Sequence, residues 1–83
     1  VIRIMVTVLR AKGLRFIIYV NDHLPAHVHV TGTGDAKINL IGAEGSPDLV
    51  WADGMSRADI RRAMALVTEH RDDLLARWRK IHG

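Results

Sequence analysis

The residues best suited to chemistry in this 83-residue chain are histidines, and three of its five fall close together at His23, His27 and His29. Three imidazoles and a water molecule can coordinate zinc or a similar divalent metal in an open site. Without a metal, the same rings can act as general acid and base, because imidazole ordinarily titrates at about pH 6.5, or can hold a phosphate when protonated. Asp22 is a further ligand, or the carboxylate that fixes an imidazole tautomer.

We therefore predict His23, His27, His29 and Asp22 as candidate catalytic residues, and the three histidines as candidate metal ligands. One alternative is an acid/base or phosphate-binding cluster without a metal. The other is a structural cluster, in which the rings are solvated or bonded to the backbone of a turn.

A strand is needed to present two of these histidines side by side. Residues 27–31 read His-Val-His-Val-Thr, which is the alternation of a half-buried strand with His27 and His29 facing outward. Residues two apart on a strand project from the same face, about 6.5–7 Å apart. His23 lies on the turn that leads into this strand, so we expect the three rings to share one solvent-facing pocket.

Residues 5–41 contain the remaining strand signals. β-branched residues on both sides of a turn at Gly13 predict a hairpin, and a second glycine-containing turn precedes another alternating segment. The pattern predicts an antiparallel meander of about four strands. Residues 42–55 are expected to form a loop, in which residues 49–51 are either an edge strand or an apolar plug.

A C-terminal helix is predicted at residues 56–82. Ser56 followed by Asp59 is a capping-box pattern, and the apolar residues after it recur at helical spacing. Such a helix is long for so short a chain, so we expect it to bend near residues 69–73 or to extend beyond the sheet. Its far end would then contact another surface, and we predict a partner interface at Leu74, Leu75 and Trp78. The chain is therefore predicted to be a single α+β domain.

The charge pattern allows an anionic partner without requiring one. Lys and Arg number 12 against 9 acidic residues, which gives a net charge of +3 and suits an acidic protein or a nucleic-acid backbone. Arg57, Arg61 and Arg62 at the start of the helix are candidate phosphate or nucleic-acid contacts, with a solvated face as the alternative. Trp51 is the aromatic residue without a predicted place in the core, so it is the candidate for stacking on a base.

The composition also excludes several classes of site. There is no cysteine, so disulfides and thiolate metal sites are ruled out, and a reducing cytoplasm is the expected location. No apolar run approaches the roughly 20 residues that span a bilayer, so we expect no membrane contact. Met5 opens a plausible reading frame of its own, and we give residues 1–4 no functional weight.

Several segments together resemble a known family. They are Met-Val-Thr-Val-Leu-Arg at residues 5–10, Gly-Leu-Arg-Phe at 13–16, Asn-Asp-His-Leu-Pro-Ala-His-Val-His-Val at 21–30 and Arg-Asp-Asp-Leu-Leu-Ala-Arg-Trp at 71–78. In this respect the chain resembles the small bacterial domain-of-unknown-function family numbered four-one-six-zero. Ala26 departs from the pattern, because the family usually has a second proline there.

The resemblance implies a genetic context for the protein more than a particular reaction. Members of that family look like halves of two-gene modules of the toxin–antitoxin kind, next to a second short protein. The resemblance therefore implies a toxin-like component that acts on RNA or nucleotides through the histidine cluster. A non-enzymatic antitoxin or regulator, bound to a small protein encoded nearby or to a second copy, is one alternative. A small metal-dependent hydrolase is the other.

Overall fold

A computed structural model of the chain describes residues 4–83, which form five strands followed by one helix. The elements are β1 (Met5–Ala11), β2 (Leu14–Tyr19), β3 (His27–Thr31), β4 (Asp35–Asn39), β5 (Asp48–Asp53) and α1 (Arg57–His82). Each strand pairs antiparallel with its neighbour in the chain, in the order β1-β2-β3-β4-β5. The predicted α+β meander with a C-terminal helix is confirmed. Residues 1–3, part of the segment to which we gave no weight, lie outside the described residues.

The fifth strand lies within the segment that we expected to be a loop. Leu49, Val50 and Trp51 belong to β5, which pairs with β4 and forms one edge of the sheet. The register shifts between Lys37 and Ile38, so β5 is bulged there. All its side chains are exposed, which explains why its sequence lacks the inward and outward alternation of the inner strands.

The helix packs on one face of the sheet and leaves the other face uncovered. The core contains Leu14, Phe16, Ile18, Val28, Val30, Ala36 and Ile38 from the strands, Leu40 just after β4, Met55 just before the helix, and Ala63, Leu66, Val67, Leu74, Leu75 and Trp78 from the helix. The strand residues between them point the opposite way. We call that side the open face. Its central row, set by the register of four strands, consists of Ile17, His29, Lys37 and Trp51.

The helix is continuous over 26 residues and unbroken at residues 69–73, where a bend was one of the two alternatives that we expected. Its buried side chains extend from Asp59 to Trp78, so the helix lies against the sheet along most of its length. Leu74, Leu75 and Trp78, which we predicted as a partner interface, are instead buried in the core. The reason is that β1 and the loop before β3 cover this part of the helix, with Val8 and Leu9 beside Leu74 and residues 24–26 beside Leu75 and Trp78. Among residues 4–83, no helix is long and apolar enough to cross a membrane.

Ser56 caps the helix as the sequence predicts. Its side chain accepts a hydrogen bond from the backbone N–H of Asp59 at 3.1 Å. The reciprocal half of the capping box is absent, because the Asp59 carboxylate accepts hydrogen bonds from the N–H and the hydroxyl of Thr33. The hydroxyl oxygen of Thr33 also accepts a hydrogen bond from the backbone N–H of Ser56. The helix start is thereby fixed to the turn between β3 and β4.

Ser56→Ala is expected to lower the free energy of unfolding by about 1 kcal/mol, the usual cost of losing an N-cap side chain. Urea unfolding followed by circular dichroism measures the change. Ser46→Ala is the matched control, because Ser46 is an exposed loop residue and its variant should match the original protein within about 0.5 kcal/mol. Equal destabilisation by both substitutions would contradict the capping role.

Asp59 should make stability depend on pH in the acid range. Hydrogen bonds from the backbone and hydroxyl of Thr33, and then the nearby Arg62 guanidinium, lower the pKa of Asp59. A carboxyl group with a lowered pKa stabilises the fold above its unfolded-state pKa of about 3.9, and this contribution is lost as pH falls through the lower folded-state value. We therefore expect Asp59→Asn to be less stable than the original protein at pH 6, with a smaller difference at pH 3.

Urea titrations at the two pH values test this expectation. Asp73→Asn serves as the control, because Asp73 is exposed on the same helix and its replacement should shift stability little at either pH. The same deficit for Asp59→Asn at pH 6 and pH 3 would show that Asp59 acts through packing rather than charge.

Candidate metal centre

The loop between β2 and β3 places a carboxylate at the start of β3. One oxygen of Asp22, Oδ2, accepts a hydrogen bond from the backbone N–H of Tyr19 at 3.0 Å, and the N–H of Asp22 donates to the carbonyl of Tyr19. The side chain of Asp22 is largely buried. This local turn fixes the carboxylate relative to the end of β2 and directs it towards the first residues of β3.

His27 turns one ring nitrogen towards this carboxylate. Its Nδ1 lies 2.8 Å from the carbonyl oxygen of Pro25, and because a carbonyl oxygen only accepts hydrogen bonds, Nδ1 must be the donor. In the neutral ring, Nε2 then carries a lone pair. Nε2 lies 3.3 Å from Asp22 Oδ2. Nε2 and Asp22 Oδ2 are therefore close enough to bind one metal ion together.

The burial of His27 differs from the sequence-based expectation. We predicted that it faces solvent beside His29, but only 3% of the residue is exposed. Its ring lies between two others, with centroid distances of 5.1 Å to both His29 and the indole of Trp78. The reason is its position at the first residue of β3, where the preceding loop and the C-terminal half of the helix cover it. Strand alternation alone does not contain this information.

His29 completes the cluster from the open face. Its Nε2 is buried, has no hydrogen-bond partner within residues 4–83, and lies 3.6 Å from Asp22 Oδ1. Burial lowers the pKa of His29, with further lowering by the neighbouring His27 and Lys37, while the Asp22 carboxylate opposes the shift. The ring is therefore held towards its neutral form, which is the form that can bind a metal.

These three side chains offer converging ligand atoms. One atom each from Asp22, His27 and His29 lies within 4.8 Å of the other two. Two imidazole nitrogens and one carboxylate oxygen form a common ligand set for zinc in hydrolases and for non-haem iron, with the remaining positions open to water or substrate. The hydrogen bond from His27 Nδ1 to a backbone carbonyl is the outer contact that usually orients a metal-bound histidine.

The structure does not place His23 in this group. His23 is exposed on the loop, and among the described residues the converging set contains Asp22 in its place. His23 instead lines a cavity of about 430 Å³ that opens onto the cluster, together with Asn21, Lys37 and the three converging residues. The three imidazoles therefore line one cavity, but the atoms close enough to share a metal belong to Asp22, His27 and His29.

Lys37 is the site residue that sequence reasoning missed. It pairs directly with His29 across β3 and β4 and lines the cavity at the cluster. The turn at residues 32–34 contained the necessary signal, because a turn of this length pairs Thr31 with Asp35. Two residues further from the turn on each strand, His29 then pairs with Lys37.

The helix arginines lie away from the cluster. Arg57, Arg61 and Arg62 belong to the first two turns of α1, which are fixed to the turn at Thr33, at the opposite end of β3 from His27. Arg62 forms an ion pair with Asp59 at 3.0 Å. The structure therefore does not bring these arginines together with the histidines. Arg79, in the last turn of α1, is nearer, because it shares a groove with His23 and Trp78.

Comparison with known proteins gives one match. A family model described as "Domain of unknown function (DUF4160)" matches residues 13–79. No curated protein and no solved structure matches the chain. The matched range includes β2 to β5, nearly all of the helix, and the three converging residues.

Proposed function

The chain belongs to the family described as a domain of unknown function (DUF4160), and we propose that it is a small metal-dependent hydrolase whose metal is bound by Asp22, His27 and His29. The convergence of their three ligand atoms within 4.8 Å is the observation that supports this function. The Nε2 atoms of His27 and His29 face the two oxygens of one carboxylate, at 3.3 Å and 3.6 Å, so the three side chains are already arranged around a common point.

The surroundings of the cluster favour an anionic substrate. Lys37 and His23 line the same cavity as the ligand set, and with a divalent metal they would attract and orient a phosphate ester. A divalent metal held by Asp22, His27 and His29 would supply an activated water as the nucleophile near neutral pH. Lys37 would hold the phosphate ester, and His23, which lines the same cavity, would be placed to return the proton of that water to the leaving oxygen as the bond from phosphorus to it breaks.

Phosphodiester hydrolysis by metal-reconstituted protein tests this function. Untagged protein is treated with a chelator, divided, and assayed with bis(p-nitrophenyl) phosphate after addition of Zn²⁺, Mn²⁺ or Fe²⁺. We expect hydrolysis that depends on one of these metals and that falls at least about 100-fold in His29→Ala. His70→Ala is the control, because His70 lies on the helix outside the converging set. Equal rates in the original protein and His29→Ala, or no stimulation by any metal, would overturn the proposal.

We also propose that the enzyme is the toxin-like half of a two-protein module, with RNA or nucleotides as its substrates. The resemblance and the cationic mouth of the cavity support this setting. Expression without any partner should slow bacterial growth, and His29→Ala should abolish the effect. Equal growth inhibition by the original protein and His29→Ala would exclude a toxic activity at this site.

A partner-binding function is a second candidate, and an apolar groove at the end of the helix supports it. The groove is about 920 Å³, and its lining includes the exposed apolar side chains of Leu24 and Ile41. Arg79 also lines it, so an acidic amphipathic helix is the matching partner. A leucine-striped peptide with glutamates should bind, whereas a version with lysines should not. Equal binding of both peptides, or of neither, would contradict this function.

A further inference from the structure

A second groove on the open face begins at His29. It encloses about 360 Å³, and its lining includes Ile17, Tyr19, His29, Asp35, Trp51 and Asp53. We call it the open-face groove. Ile17 is an apolar residue that is 4% exposed although it lies outside the main core cluster. The groove therefore has an apolar floor next to the proposed metal ligands.

Trp51 forms one wall of the open-face groove. Its indole is 44% exposed, and its ring centre lies 6.4 Å from that of His29. The two residues are two strands apart, which separates their backbones by about 9.6 Å. The indole must therefore lean over the sheet towards His29, whose other side contacts the ring of Tyr19 at 4.9 Å. A partly exposed indole in this position can stack on a planar ring.

The two ends of the open-face groove differ in charge. At the His29 end, Lys37 lines the adjoining cavity of the cluster. At the other end, Asp35 and Asp53 lie directly opposite each other on β4 and β5. Neither carboxylate forms an ion pair within residues 4–83. Like charges in directly opposed positions are unfavourable, so a ligand that donates hydrogen bonds to both would relieve a cost that the folded chain carries.

We propose that the open-face groove binds the base of a nucleotide whose phosphate lies at the Asp22–His27–His29 cluster. This inference rests on the proposed function and adds a binding site for the base of its substrate. Trp51 stacks on the base. Asp35 and Asp53 accept hydrogen bonds from an exocyclic amino group, as carboxylates do from cytosine. The site therefore favours adenine, cytosine or guanine over uracil, which has no amino group.

Other ligand classes use less of this arrangement. A lipid or other apolar ligand would remove two carboxylates from water without compensation, which is costly. A simple phosphate ester would occupy the cluster but would leave Trp51 and the aspartate pair without a role. A nucleotide matches all three features: its anionic phosphate fits the cluster, its flat base fits Trp51, and the amino group of the base fits the aspartate pair.

Calorimetric titration of zinc-loaded protein tests the inference with AMP, UMP and ribose 5-phosphate. We expect Trp51→Ala to weaken AMP binding about 10- to 100-fold, the effect of losing one stacked base, while ribose 5-phosphate binding stays unchanged. Leu49→Ala is the matched control, because Leu49 is similarly exposed on the same strand but pairs with Ile38, on the helix side of the sheet. Asp35→Asn is expected to reduce the preference for AMP over UMP.

Two outcomes would overturn the inference. One is AMP affinity that is the same in Trp51→Ala and the original protein, and the other is equal affinity of the original protein for AMP and ribose 5-phosphate. The zinc affinity of each sample is measured as well. A protein that does not bind zinc contradicts the proposed metal site, whereas a protein that binds zinc but shows either of the two outcomes contradicts only this inference. Titration with adenosine, which has no phosphate, would still reveal a groove that depends on Trp51. Tighter binding of oligoadenylate than of AMP would identify RNA as the source of the base.

Discussion

Asp22→Asn is expected to weaken Zn²⁺ binding about 100-fold or more without destabilising the metal-free protein. The loss of affinity follows because the substitution removes the charged ligand, and even outer contacts of metal ligands are worth 10- to 100-fold, roughly. The fold should persist because an asparagine oxygen can still accept the hydrogen bond from the N–H of Tyr19. With its oxygen in that place, its amide nitrogen takes the position of Asp22 Oδ1 and can donate to His29 Nε2, which Oδ1 faces at 3.6 Å.

This pair of measurements separates a metal site from a structural ion pair. If the cluster served only to stabilise the fold, Asp22→Asn would lower the free energy of unfolding and change nothing else. Zinc affinity from competition with a chromophoric chelator and stability from urea unfolding, both with and without zinc, provide the two readouts. Asp72→Asn is the control, because its side chain is 96% exposed on the helix. A destabilised variant with unchanged zinc affinity would refute our assignment of Asp22.

Phe16→Ala is expected to unfold much of the protein at room temperature. Phe16 is fully buried on the helix side of β2 and belongs to the core. Removal of a buried phenylalanine side chain costs about 3–5 kcal/mol, and a domain of this size has a total stability of only about 5 kcal/mol or slightly more. Circular dichroism and urea unfolding would show a large unfolded fraction before any denaturant is added.

Val50→Ala provides the comparison for the core substitution. Val50 is 45% exposed on the edge strand, so its truncation should change stability by about 0.5 kcal/mol or less. If Phe16→Ala unfolded at nearly the same urea concentration as Val50→Ala, the core between the sheet and the helix would not be the main source of stability.

The fold was largely predictable because its periodicities are strong. Alternation in the inner strands and three- and four-residue spacing in the helix are properties of the local sequence, and Ser56 fixes the helix start through a local hydrogen bond. The sequence does not identify β5, because every one of its residues is exposed, which removes the pattern that identifies a strand. The burial of Leu74, Leu75 and Trp78 depends on β1 and on the loop before β3, which lie against them in the folded chain.

The candidate site was harder to predict because it depends on contacts between elements. Sequence reasoning identified Asp22, His27 and His29 as candidates but treated His23 as their equal. The loop directs Asp22 inward through its bonds to Tyr19, whereas His23, one residue later, remains exposed. That difference comes from a turn geometry that residue types do not specify. The proximity of Lys37 to His29 likewise required the register of β3 and β4.

Nitrogen NMR of the histidine side chains during zinc addition tests the metal site most directly. We predict that the Nε2 resonances of His27 and His29 shift to values typical of metal-bound imidazole at one equivalent of Zn²⁺, while His70 does not change. The Nδ1 proton of His27 should remain bonded to the Pro25 carbonyl throughout. Unchanged resonances for His27 and His29 at several equivalents of zinc, iron or manganese would contradict the account.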